Sequence, residues 1–355
     1  MTQNEWNTEQ RARSRDLGIA PGSFSSGAFN AITDVPGVRV GQTTLIAGSD
    51  IRTGVTAIVA DQLADRRALP AGLFVGNGYG KLIGGTQLVE LGEIETPIVL
   101  TGTLSAFRAA DALVSHMLTL PGNEELVSVN PVVGETNDGY LSDIRARPIT
   151  ETHVLDALRI ASAGKVAEGC VGAGTGTTAL GFKAGIGTSS RLVDVGNVVA
   201  TVGVLVQSNF GGTLTVLGEP IDVDDALADV RDPSASRDAG IGNSCMIVVA
   251  TDAALDARQL RRLATRAVYG MARVGANFSH GSGDYGIAFS VGEGMAVADK
   301  ALDPFFAAVQ DAVEEALLNS LFMAQTTGDY RGRVAHAVPL TFVRQVLAER
   351  GIPLR

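Results

Sequence analysis

The sequence predicts a layered α/β sandwich, and three observations carry that prediction. Short β-branched apolar runs neighbour one another along the chain, and long helical patterns stand between later ones. No proline-rich linker and no shift of composition divides the 355 residues, so one domain spanning 1–355 is expected, without internal repeats.

The elements follow in order. The first 15 or so residues are polar and charged and are expected to form a loosely held arm. Residues 55–60 (VTAIVA) and 97–100 (PIVL) read as buried strands. Residues 105–118 read as an amphipathic helix, because Phe107, Ala110, Leu113, Val114 and Met117 recur at three- and four-residue steps. Residues 198–217 read as two strands broken by SNFGG, a hairpin-like signal. An apolar strand follows Ser244, then a helix over 255–275, a strand around 285–291, and a long helix from Pro304 to about Gln325.

Composition narrows the function. The formal net charge is −10 and no basic cluster occurs, which argues against nucleic acid as a partner. The opening MTQNEWNTEQ lacks the basic segment and apolar core of a secretion signal. The longest apolar stretch, 198–207, is too short and too β-branched to span a bilayer. Two distant cysteines, Cys170 and Cys245, suit a reducing compartment. A soluble cytoplasmic protein with no membrane partner is the expectation. The 43 glycines are scattered without period, which points to tight turns and close backbone approach.

Several motifs fail on inspection. GAGTGT (172–177) has Thr177 where a dinucleotide loop needs its third glycine, and reads instead as a glycine-rich loop packed near a site. GNGYGKL (76–82) misplaces Lys81 for a phosphate loop, and Leu82 replaces the magnesium-binding hydroxyl. His116, His153, His280 and His336 form no metal-ligand pattern, so neither metal nor cofactor is expected. Ser282 lacks the hydrolase elbow, since His280 stands two residues before it.

The stretch AGIGNSCMIVVATDA (239–253) sets Ser244 between flexible backbone and a buried run. A serine without a histidine base can act by becoming an amino terminus. Its hydroxyl attacks the Asn243 carbonyl, a five-membered ring opens to an ester, and water cuts the ester. The freed α-amine, with a reference pKa of about 7.7–8.0, is a usable base. Nucleophile and base then share one residue. Gly240 and Gly242 can adopt the backbone geometry required, and CMIVVA anchors the new terminus. Taken alone, the same stretch also reads as a plain turn entering a core strand.

Longer motifs bear on that choice. NAITDVPGVRVGQTTL (30–45), GNGYGKLIGG (76–85), NPVVGETNDGYLSDIR (130–145), GAGTGTTALGFKAGIGTSSR (172–191), VGVLVQSNFG (202–211) and GNSCMIVVATDA (242–253) occur in one order. With them the chain, from about residue 16 to 343, resembles the L-aminopeptidase/D-esterase and β-peptidyl aminopeptidase family of self-processing N-terminal serine hydrolases. The resemblance implies a four-layer αββα sandwich, Ntn-hydrolase-like but differently connected. It implies cleavage of the Asn243–Ser244 bond into a large subunit, 1–243, and a small one, 244–355.

The resemblance also implies roles. Ser244 is the nucleophile. Asn209 stabilises the oxyanion, as a rigid amide donor can, although on its residues it also reads as an ordinary turn asparagine. Ser282 and Asp284 hydrogen-bond around the nucleophile and its amine, though the same residues suit a glycine-rich turn. Glu135 receives the substrate's ammonium, where a loop glutamate is otherwise usually solvated. Asn137 and Tyr140 shape the pocket. The implied activity is release of N-terminal α- or β-amino acids from small peptides, amides or esters with a free amine, by a homo-oligomer of processed heterodimers. An acyltransferase of the ornithine acetyltransferase type is an alternative, against which stands serine instead of threonine at 244. An inactive glycine-rich binding protein is another. Preference for α or β and for L or D residues stays open, since pocket shape sets it.

Overall fold

Strands β1 (Val38–Ala47) and β2 (Ile51–Ala60) form an antiparallel pair, and β3 (Leu69–Gly78), the short helix α1 (Gly85–Glu90) and β4 (Glu93–Ile94) follow. β5 (Ile98–Gly102), α2 (Ala106–Thr119) and β6 (Val132–Thr136) form a parallel β–α–β unit, backed by α3 (Glu151–Arg159). The two-residue strands β7 (Thr178–Ala179) and β8 (Phe182–Lys183) precede the long strands β9 (Ile186–Val195) and β10 (Val198–Asn209). β11 (Thr215–Val216), β12 (Glu219–Pro220) and α4 (Val223–Ala226) come next. β13 (Ser244–Thr251), α5 (Ala257–Gly270) and β14 (Gly283–Ser290) make a second parallel unit. α6 (Asp303–Phe322), β15 (Thr327–Gly328), β16 (Val334–Ala335) and α7 (Leu340–Glu349) complete the chain. These elements come from a computed structural model that describes residues 9–65, 67–196, 198–229 and 244–355.

One sheet has the order β1-β2-β5-β6 and the other β4-β3-β14-β13-β10-β9. β13 shows why they stack. Its Cys245, Ile247 and Val249 join a core with Leu260 and Leu263 of α5 and Val309 and Val313 of α6. Its Met246, Val248 and Ala250 join a second core with Ile58, Leu100 and Val132 of the other sheet. A strand buried on both faces carries no polar alternation, hence the unbroken apolar run. Each of its valine, isoleucine and methionine side chains contributes about 1.5–3 kcal/mol by leaving water. A third core sets Val55, Val99 and Val133 against Leu113 of α2 and Val154 of α3. The layers are helix, sheet, sheet, helix, the expected αββα sandwich.

Caps and pairs fix the helices. Asp256 accepts from the Gln259 N–H at 2.7 Å while the Gln259 side chain accepts from the Asp256 N–H at 3.1 Å, a reciprocal cap at the start of α5. Arg191 of β9 and Glu315 of α6 form a fully buried ion pair at 2.7 Å. Among the described residues, no helix is long and apolar enough to cross a membrane.

Three local readings need correction. Residues from Glu9 onward do not form a loose arm. Arg11 donates to the carbonyls of Phe322 (2.7 Å) and Val338 (3.0 Å), Ser14 N–H to Asn319 (2.9 Å), and Arg15 to Glu315 (2.9 Å). Polar composition hid an arm that docks by hydrogen bonds. The SNFGG break makes no hairpin, because both edges of β10 are occupied, by β9 and β13; β11 pairs with β12 instead. In α2 the inward stripe is Ala106, Ala109, Ala110, Leu113 and Met117, while Phe107, one residue off that stripe, is 64 % exposed.

Candidate active site

Strand register places the serine. At the amino-terminal end of β13, Ser244 pairs with Asn209 of antiparallel β10 on one side and with Gly283 of parallel β14 on the other. Side chains alternate along a strand, and Met246 and Val248 point between the sheets. Ser244 shares their parity, and Asn209, directly opposite, leaves the sheet on the same face. Both line a cavity of about 650 Å³.

The Asn209 amide is oriented by its neighbour. The Thr178 N–H donates to Asn209 Oδ1 at 3.1 Å, which leaves Nδ2 as the free end. That Nδ2 is buried and has no hydrogen-bond partner among the described residues. An unpaired buried donor costs about 1–3 kcal/mol. Aimed at a substrate carbonyl, it would be repaid as negative charge develops there.

Glu135 forms another part of the wall. It is the penultimate residue of β6, is 2 % exposed, and accepts from the Lys81 N–H at 2.7 Å, with Lys81 Nζ at 3.8 Å. Tyr285 donates its hydroxyl to the Gly80 carbonyl at 2.9 Å, tying that loop to β14. Gly80 has no room for a side chain: a Cβ would stand 2.9 Å from the Tyr285 ring and 3.2 Å from Glu135 Oε1. Asn137 accepts from the Gly139 N–H at 2.9 Å, a local turn, and it lines the cavity with Tyr140. The Arg333 guanidinium lies 5.2 Å over the Tyr140 ring.

Ser282 and Asp284 are placed differently. Neither lines the cavity, whereas their neighbours His280 and Gly281 do. Asp284 shares a rung with Cys245, whose thiol belongs to the helix-side core, so its carboxyl leaves the sheet opposite to Ser244. Ser282 Oγ donates to Asp284 Oδ1 at 2.7 Å, while Oδ2 is buried without a partner among the described residues. Burial pushes this carboxyl up to about 6, against hydrogen bonds from Ser282 and the Cys245 backbone that hold it down. The pair thus sits at the main chain beside Ser244, on the far side from the cavity. Asn243 lies outside the described residues.

Residues that sequence reasoning missed surround these. Asp138 is buried, accepts the Thr53 hydroxyl, and is raised to about 6 by burial. Lys183, fully buried and paired in register with Thr178, donates to the Gly174 carbonyl at 3.2 Å and to that of Ala184. Burial lowers its pKa. It fixes the glycine-rich segment leading to Thr178 and so to Asn209. A lysine nine residues after a glycine was no signal; Lys81 stood in a motif set aside for the wrong ligand.

Residues 30–335 match the family described as peptidase family S58. The chain belongs to peptidase family S58. This S58 chain is 37 % identical over 367 residues to the β-peptidyl aminopeptidase BapA of Sphingosinicella microcystinivorans, covering 94 % of the chain and 91 % of that protein. Among solved structures it resembles a Burkholderia β-aminopeptidase, at TM-score 0.85 and 38 % identity, covering 96 % and 99 % of the two chains. It also resembles the L-aminopeptidase D-Ala-esterase/amidase of Ochrobactrum anthropi, described as a prototype serine aminopeptidase with a variant Ntn-hydrolase fold. There the TM-score is 0.87 and the identity 35 %, covering 97 % and 99 %. The expectation of an aminopeptidase-class hydrolase with that fold is borne out.

Proposed function

We propose that this S58 peptidase cleaves its own Asn243–Ser244 bond and then releases N-terminal amino acids from small peptides, amides or esters. Ser244 Oγ attacks the first carbonyl, and its hydroxyl proton passes to the Ser244 α-amine. The oxyanion is met by Asn209 Nδ2. The amine returns the proton to the leaving nitrogen as the C–N bond breaks, and water then hydrolyses the acyl ester by the same route. Glu135 holds the substrate's ammonium, with Asn137 and Tyr140 shaping its surroundings. Ser282 and Asp284, at the main-chain side of Ser244, orient the α-amine. Cytoplasmic location and a homo-oligomer of two-fragment units complete the reading, and the free thiols of Cys170 and Cys245 suit a reducing compartment.

The supporting observation is the Asn209 amide donor, which has no hydrogen-bond partner among the described residues, opposite Ser244 and in one cavity with Glu135. A denaturing gel with amino-terminal sequencing tests the proposal. The smaller band should begin at Ser244, and Ser244→Ala should stay whole and inactive. A band starting elsewhere, or a Ser244→Ala chain that still splits, overturns it.

A further inference from the structure

The cavity wall holds a cation that the steps above leave unused. Lys81 is bound up with Glu135. Arg333 is not so engaged. Its Nη1 reaches the carbonyls of Tyr140 at 3.3 Å and Gly139 at 3.5 Å, both long, and its Cζ lies 5.2 Å from the centroid of the Tyr140 ring. Among the described residues no carboxylate lies within 4.0 Å of it, and Nε and Nη2 make no hydrogen bond. The backbone that carries the guanidinium is nonetheless held in place. Arg333 closes a turn in which its N–H donates to the Tyr330 carbonyl at 3.0 Å and its carbonyl accepts from the Asp329 N–H at 3.1 Å. Asp329 is in turn pinned at 3.2 Å by Arg52, whose side chain is buried.

A planar guanidinium with a free edge matches a carboxylate, which can accept two parallel N–H bonds. On a chain of net charge −10, such a group in the site wall runs against the overall sign. A cavity of about 650 Å³ holds a molecule of dipeptide size with both ends inside. A dipeptide carries an ammonium at one end and a carboxylate roughly 7 Å further on, at about 3.5 Å per residue.

We propose that Arg333 binds the terminal carboxylate of the substrate, so that the enzyme selects short peptides with both ends free, dipeptides foremost, over the same peptides capped as amides. The proposal rests on the reading in which Glu135 holds the amine and Ser244 attacks the bond between. Arg333 sets specificity; it takes no part in bond breaking.

The test compares kcat/KM for a free dipeptide and its C-terminal carboxamide, in wild type, Arg333→Gln and Arg333→Lys. Wild type should favour the free dipeptide by about 10- to 100-fold, the range of one charge-assisted hydrogen bond. Arg333→Gln should bring that ratio toward one through a higher KM for the dipeptide, and Arg333→Lys should keep an intermediate ratio. Because the ratio is internal to each protein, a fall in the amount of folded enzyme does not move it. A wild-type ratio of one or below, or a ratio unchanged in Arg333→Gln, overturns the proposal. Undiminished turnover of both substrates by Ser244→Ala is a different result, and overturns the reading beneath it.

Discussion

Asn209 and Ser244 face each other on the last rung of the β10–β13 ladder, with the Asn209 amide held by the Thr178 N–H. Asn209→Asp keeps the oxygen that Thr178 needs and removes the donor. Loss of an oxyanion donor costs about 10²–10³ in kcat. Steady-state kinetics on an amino-acid anilide should show that fall in kcat with KM little moved. A variant within threefold of wild type would remove Asn209 from the reaction.

Glu135 is the buried carboxylate that the proposal gives to the substrate's amine. Glu135→Gln preserves size and the acceptor for the Lys81 N–H but deletes the charge. A hydrogen bond to a charged group is worth about 1.5–3 kcal/mol, so kcat/KM should drop roughly 10- to 100-fold, mainly through KM. Titration of initial rate against substrate concentration reads the split. An unchanged KM would place the ammonium elsewhere.

Asp284 carries a pH signature. Its carboxyl titrates near 6 in the fold, so its negative charge is lost as pH falls through that value. If the anion orients the Ser244 amine, kcat/KM should show, below the decline set by protonation of the amine itself, a further acid limb with a midpoint near 6. Asp284→Asn should lack that limb and run at least tenfold slower at pH 8, a barrier rise of about 1.4 kcal/mol. Persistence of the limb in the variant would assign it to another group.

Asp138 should reveal itself in stability. Its carboxyl titrates near its ordinary 3.8 when unfolded and near 6 when folded. Between those values the folded chain binds more protons than the unfolded one, so stability falls as pH rises through the window. The contribution is complete below about 4 and gone above about 6. Asp138→Asn, which can still accept from Thr53, removes this slope. Thermal melts at pH 4.5 and 7.5 should show the variant gaining on wild type at the higher pH by roughly 2 kcal/mol, the part of the window above pH 4.5 at about 1.36 per unit. Parallel melting curves would contradict it.

What could be read from sequence was whatever is written locally. Met246 to Ala250 announced a strand buried on both faces, and Leu113 with Met117 announced the inward stripe of α2. Ser244 and Asn209 were found through family motifs, yet their meeting is a matter of register between strands far apart in sequence. The same holds for what was missed. Arg333 reaches the cavity on a turn from the far end of the chain, and Lys183 supports it from behind a glycine-rich segment. Arg11 and Arg15 look like solvent residues until the carbonyls and carboxylate they meet are known. Charge tells which residues seek partners; only the fold supplies them.

In the larger sheet, β13 and β14 lie side by side between β10 and β3. A cut before Ser244 would therefore sever the covalent thread without freeing either piece, since the later pair of strands is stitched along both margins to the earlier ones. The halves would age, unfold and be degraded together, and differently labelled molecules mixed in one tube would keep their original mates.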